Sequence, residues 1–150
     1  MARGVERTIT SGLSSAAAAK PGAIEAIGVL GTEGPDHLTG DNQGDDILFG
    51  LGGNDTLFGL GGADTLDGGN PDHSLYGGNG TDTLFGGWGA DLVFGEGHDD
   101  FLFGDLGSDT LFGGNGDDVV DGANGTADPD TLFGEQGNDR LTGGEGNDTI

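Results

Sequence analysis

An aspartate followed two residues later by an apolar side chain recurs along most of this chain. The anchors are Asp36, Asp46, Asp55, Asp64, Asp82, Asp91, Asp100, Asp109, Asp118, Asp130, Asp139 and Asp148, with His73 standing where one more aspartate would fall. Nearly every step is nine residues. Asp36 to Asp46 is ten and Asp118 to Asp130 is twelve, the latter accommodating extra residues around Thr126 to Pro129. Glycines precede the anchors, most fully in Gly77-Gly78-Asn79-Gly80-Thr81-Asp82, Gly86-Gly87-Trp88-Gly89-Ala90-Asp91, Gly113-Gly114-Asn115-Gly116-Asp117-Asp118 and Gly143-Gly144-Glu145-Gly146-Asn147-Asp148. Carboxylates set among glycines, whose backbone carbonyls no side chain shields, form an all-oxygen donor set. Such a set suits a hard divalent cation, which takes roughly six to eight oxygens.

The elements that position these groups follow from the same period. The three residues after an anchor, such as Thr83-Leu84-Phe85, are β-prone and alternate faces, so a strand of three residues is expected with its middle side chain inward. The six residues before it are glycine-rich and read as a turn needing positive φ. Strand and turn alternate, so two nonapeptides close one lap and successive laps stack as parallel strands. The apolar followers Leu38, Leu48, Leu57, Leu66, Leu75, Leu84, Val93, Leu102, Leu111, Val120, Leu132, Leu141 and Ile150 then form a thin core between two sheets. The fold class expected is all-β, a parallel β-roll. Alternate repeats lie above one another in such a coil. One stack contains Asp46, Asp64, Asp82, Asp100, Asp118 and Asp139; the other contains Asp36, Asp55, His73, Asp91, Asp109, Asp130 and Asp148. Stacked carboxylates repel unless a cation lies between them.

The repeat G-G-x-G-x-D-x-U-x, with U apolar, resembles the RTX (repeats-in-toxin, haemolysin-type) family of calcium-binding nonapeptides over roughly residues 34 to 150. The resemblance implies a right-handed β-solenoid that holds several Ca2+ ions between neighbouring turns. By the same resemblance the ligands would be Asp46, Asp55, Asp64, Asp82, Asp91, Asp100, Asp109, Asp118, Asp130, Asp139 and Asp148, with the turn glycines Gly78, Gly80, Gly87, Gly89, Gly114, Gly116, Gly144 and Gly146. It further implies a bacterial protein, secreted or on the cell surface, exported unfolded by a type I secretion system and folding on external calcium. Three departures mark weak points. Gly68-Gly69-Asn70-Pro71-Asp72-His73 puts an imidazole where a hard cation wants oxygen, so the flanking sites should be lost or weak. Asp72, one residue off, should point elsewhere. His98 replaces a turn glycine, and the insertion before Asp130 should bulge its turn.

Composition supports cation binding and argues against other partners. Glycine accounts for 36 residues, and 27 acids against 4 bases give a formal charge of -23. That balance disfavours nucleic acid and anionic membrane, which need clustered Lys and Arg. With no cysteine, disulfides and thiolate metal sites are excluded. No run approaches the length of a membrane span, and the N-terminal Ala16-Ala19 run is a poor secretory core. No G-x-S-x-G elbow or H-E-x-x-H motif occurs, and no catalytic constellation is visible, so an enzyme is not expected. Residues 1–32 read as a largely disordered linker, with a short Ala-rich helix at most, and 33–150 as the roll, stopping inside its last repeat. The alternative is the repeat portion of a larger secreted RTX hydrolase, toxin or adhesin, with an adjoining domain elsewhere. Phe58, Tyr76, Phe94, Phe112 and Phe133 should share one outer face as a stacking ladder. On the other face Phe49, Phe85 and Phe103 are interrupted by Asp67 and Asp121.

Overall fold

The computed structural model describes residues 7–9, 28–122 and 127–150. Its strands run in chain order β1 (Arg7–Ile9), β2 (Gly28–Leu30), β3 (Asp36–Thr39), β4 (Ile47–Gly52), β5 (Thr56–Gly61), β6 (Thr65–Asn70) and β7 (Ser74–Asn79). They continue as β8 (Thr83–Trp88), β9 (Leu92–Gly97), β10 (Phe101–Leu106), β11 (Thr110–Asn115), β12 (Val119–Asp121), β13 (Thr131–Gln136) and β14 (Arg140–Thr142). Odd strands form one seven-stranded sheet and even strands a second, each in strict order and wholly parallel. Consecutive strands therefore alternate between sheets, and one lap takes two repeats. This is the expected roll.

Equivalent residues of adjacent laps lie in register: Leu57 pairs with Leu75, Leu75 with Val93, and Leu66 with Leu84. Each points inward, and Val29, Leu38, Leu48, Leu57, Leu66, Leu75, Leu84, Val93, Leu102, Leu111, Val120 and Leu132 form one buried core. Burying a Leu is worth about 2–3 kcal/mol, so this single file is a thin source of stability. Leu141 is only partly buried, and Ile150, expected in the core, is 70% exposed.

Two expectations change. The full strands are six residues long instead of three, because the first three positions of the next repeat continue the ladder. Pairing passes from Phe58–Tyr76 to Leu60–Gly78 and Gly61–Asn79, skipping the first glycine, which turns inward. The second position of these repeats is left-handed and bends the strand, whether Gly78 (φ 114°) or a side-chain-bearing residue such as Leu60 (φ 81°) or Glu96 (φ 77°). Only three residues remain for the tight turn between successive long strands. The roll also begins before residue 33, since β2 pairs with β4 and Val29 fills an inward position. The expected Ala-rich helix lies outside the described residues.

Turn geometry survives the substitution at the fourth position. His98 takes φ 84°, in the left-handed region its glycine counterparts use. Of the insertion, residues 123–126 lie outside the described residues, and beyond it the register resumes with Thr110 opposite Thr131. The outer rings stack as the repeat order requires. Phe58, Tyr76, Phe94, Phe112 and Phe133 form one column with centroids 4.7–5.0 Å apart, and Phe85 stacks on Phe103 at 5.1 Å. Trp88 is solvent-exposed.

Lap-to-lap contact at the turns leaves no room for a methyl group. A Cβ on Gly80 (φ 135°) would collide with the Gly62 carbonyl one lap back, whereas one on Gly97 would meet nothing closer than 3.5 Å. Gly80→Ala should lower folded stability by about 3 kcal/mol, from overpacking and left-handed strain. Gly97→Ala should stay within about 0.5 kcal/mol of the parent. Urea unfolding of both variants checks this; equal losses would contradict the lap spacing.

Candidate calcium-binding site

Each anchor side chain points into the roll, and its carboxylate does two things. Oδ1 accepts the backbone N–H of the anchor one lap earlier: Asp46 N–H donates to Asp64 at 2.7 Å, Asp64 to Asp82, Asp82 to Asp100 and Asp100 to Asp118 at 2.8 Å, and Asp118 to Asp139 at 3.0 Å. The second row runs from Asp36 to Asp55 (2.8 Å), then Asp91 to Asp109 and Asp109 to Asp130 (2.8 Å), and Asp130 to Asp148 (3.0 Å). The anchor's own carbonyl accepts an N–H from the lap above, as Asp64 does from Thr83 at 2.8 Å. Oδ1 thus extends the strand ladder by one rung around the corner.

Oδ2 is different. In Asp55, Asp64, Asp82, Asp91, Asp100, Asp109, Asp118 and Asp130 it is buried and has no hydrogen-bond partner. It faces the first glycine of its own repeat. A Cβ on Gly77 would sit 2.6 Å from Asp82 Oδ2 and 2.9 Å from the Gly95 carbonyl of the next lap. Asp64 Oδ2 and the Gly77 carbonyl of the next lap converge on the point a Gly59 Cβ would occupy, while the Leu60 and Gly62 carbonyls lie against Gly78 and Gly80 of that lap. Asp36 and Asp46 differ: their Oδ2 atoms accept N–H bonds from Thr32 and Asp41 at 2.5 and 2.6 Å. Asp139 and Asp148 are half-buried at the last laps.

Among the described residues no three acidic, histidine or cysteine side chains converge on one point. Any ion in these gaps must take most of its ligands from backbone carbonyls. That is the donor chemistry of calcium, and bare buried carboxylate oxygens beside inward-facing carbonyls fit it.

The sequence-assigned glycines Gly78, Gly80, Gly87, Gly89, Gly114, Gly116, Gly144 and Gly146 all adopt positive φ at the second and fourth turn positions. The first glycines, such as Gly59, Gly77 and Gly95, were missing from that assignment, yet they bring the backbone against Oδ2. A signal for them exists: the first position is glycine in every repeat, whereas the second is variously Gly, Leu, Glu, Asp, Thr or Ala. Asp72 points outward and accepts the Ala90 N–H at 3.0 Å, as anticipated for a residue one step off phase. Asp99 and Asp117, the first members of acidic pairs, are likewise exposed acceptors.

Two rows of inward carboxylates on a parallel roll of glycine turns define a cation-binding repeat solenoid. The chain belongs to the family of the RTX calcium-binding nonapeptide repeat, whose model matches in four copies at residues 41–70, 74–100, 94–127 and 123–150. RTX nonapeptide repeats bind Ca2+, several ions across the array, and a repeat-only roll of this kind is a structural module outside the known enzyme families. A comparison with curated proteins finds no match.

Burial makes the carboxylates hard to ionise without an ion. It lifts Asp91 and Asp100 to about 8, Asp109 to about 7, and Asp55 and Asp64 to about 6, against the opposing pull of the N–H from the preceding lap. Asp82, Asp118 and Asp130 shift upward for the same reason. The folded values lie above the unfolded value of 3.8, so their contribution to the metal-free roll is fully present below that value. It is lost as pH rises through about 6 to 8. Calcium-free chain should therefore gain sheet signal in far-UV circular dichroism as pH falls from 8 toward 4. Asp100→Asn, with no proton to lose there, should flatten the dependence. Sheet content greatest at pH 8 without calcium would contradict this.

Proposed function

We propose that the chain is a secreted calcium-dependent folding module, in which ions between the laps replace the protons that the buried aspartates would otherwise need. The observation that carries this is the row of unpartnered Oδ2 atoms facing turn carbonyls across each gap. The ligands are the carboxylates of Asp64, Asp82, Asp91, Asp100, Asp109, Asp118 and Asp130, with Asp46, Asp139 and Asp148 at the ends of the rows; Asp55, whose Oδ2 lies 3.5 Å from His73 Nδ1, faces the one lap without a repeat carboxylate. Carbonyls of the turn positions complete the shell, those of Gly78, Gly80, Gly87, Gly89, Gly114, Gly116, Gly144 and Gly146 included. When bound, calcium supplies positive charge and further coordination to oxygens that have no protein donor.

Without ions, the charge of -23 and the raised carboxyl values oppose compaction at neutral pH. Extracellular calcium modules work at about 10⁻⁴ to 10⁻³ M, well above the ion level inside cells. The chain accordingly stays unfolded during export, through a type I secretion system, and folds outside as a structural element for the segment it is joined to. Magnesium, smaller and reluctant to shed water, fits poorly into gaps lined by carbonyls.

Titration of the calcium-free chain at pH 7.5, followed by far-UV circular dichroism, should give a cooperative coil-to-sheet transition with calcium and none with magnesium at equal concentration. Asp82→Asn should raise the calcium midpoint by about three- to tenfold through the loss of about 1 kcal/mol or more. Full sheet content in excess chelator at that pH would sink the proposal.

A further inference from the structure

The two edges of the roll are not equivalent, and the difference centres on His73. Its side chain is 3% exposed and occupies the anchor position between Asp55 and Asp91. Nδ1 accepts the Asp55 N–H at 3.2 Å, and the His73 N–H donates to Asp91 Oδ1 at 2.7 Å. The imidazole thus performs the Oδ1 role, and both rungs of the ladder stay closed. An Nδ1 that accepts a hydrogen bond leaves the proton on Nε2. Nε2 is buried with no partner. Cδ2 lies 2.7 Å from the point a Gly68 Cβ would occupy, the space that faces Oδ2 in the other repeats. A carbon edge stands where the neighbouring laps present a bare anionic acceptor.

A second asymmetry runs in the opposite sense. The aromatic column is unbroken on the sheet that follows the interrupted carboxylate row, and Tyr76, three residues after His73, is sandwiched between Phe58 at 4.7 Å and Phe94 at 5.0 Å with planes within 8°. On the sheet that follows the continuous carboxylate row, Asp67 breaks the column instead. The column passes the His73 lap with the same spacing it keeps further on, where Phe94–Phe112 and Phe112–Phe133 are 4.9 and 4.8 Å apart, so ring stacking bridges the lap that lacks the carboxylate. Each stacked pair contributes on the order of 1 kcal/mol.

We propose that His73 is an ion-free rung: it holds the Asp55, His73 and Asp91 laps together without calcium, with Phe58, Tyr76 and Phe94 supplying the lap-to-lap attraction that calcium supplies elsewhere. The second row is thereby split into separate blocks, and the first row is the longer continuous array of ions. This rests on the calcium reading above. It assigns to His73 a positioning role and the control of how many ions the roll holds.

Calcium bound per chain, counted by native mass spectrometry on the whole protein, tests it with His73→Asp and His73→Asn. His73→Asp should bind more calcium than the parent, a gain of about one to two ions, since it restores a carboxylate facing two gaps. His73→Asn, a neutral acceptor, should match the parent. Unchanged binding by a folded His73→Asp overturns the inference while leaving the calcium reading intact; a parent that binds no calcium sinks both. A readout on the parent itself covers the case in which His73→Asp does not fold. The ¹⁵N resonances of the His73 ring should remain those of the neutral Nε2–H form at saturating calcium. A coordination shift there overturns the ion-free rung.

Discussion

Everything in this roll depends on carboxylates that recur at the same corner of every second repeat. Strand spacing in a sheet is about 4.8 Å, and at an effective dielectric constant of about 20 two unit charges that far apart repel by about 3 kcal/mol. A buried leucine contributes about the same. The leucine file alone cannot hold a fully ionised row together. Either protons or cations must neutralise it, and the raised carboxyl values of Asp91 and Asp100 express the first option. The all-oxygen gap beside each Oδ2 provides for the second.

The other features serve that neutralisation. Three inward positions alternate from the residue before a long strand into it: the anchor, the core leucine or valine and the first glycine, as in Asp55, Leu57 and Gly59. The glycine has no side chain because the carboxylate of its own repeat and the carbonyl of the next lap already occupy that space. Left-handed residues at the second and fourth positions turn their carbonyls along the stack, against the equivalent residues of the next lap. Leucine supplies the register, so that each carboxylate meets the N–H of the lap before it. Outer rings contribute where they form a column, and the column is continuous on the sheet whose anchor row is interrupted.

Much of this could be read in the sequence, because the repeat fixes both period and order. Anchors such as Asp64, Asp82 and Asp100 fall into one row merely because a lap must contain two repeats, and the structure puts them 18 residues apart on adjacent laps. The ring column from Phe58 to Phe133 follows from the same arithmetic. The length of the strands was not legible, because Gly77-Gly78-Asn79 has the composition of a turn while its backbone completes a ladder. The left-handed conformations of Leu60 and Glu96 run against local preference and are imposed by the stack. Val29 escaped notice since no aspartate precedes it in phase. His98 looked disruptive on chemical grounds, yet the neighbouring laps hold it in the conformation of the glycine it replaces.

The central claim is that cations sit between the laps, inside the corners, and not on the outer acids Asp45, Asp72, Asp99 and Asp117. Anomalous diffraction from crystals of the calcium-loaded chain locates the ions directly. The account predicts anomalous peaks in the gaps beside Oδ2 of Asp64, Asp82 and Asp100, each shared with turn carbonyls of the adjacent lap, with no peak at His73. Peaks confined to the outer acids, with the inner gaps dry and closed, would contradict it.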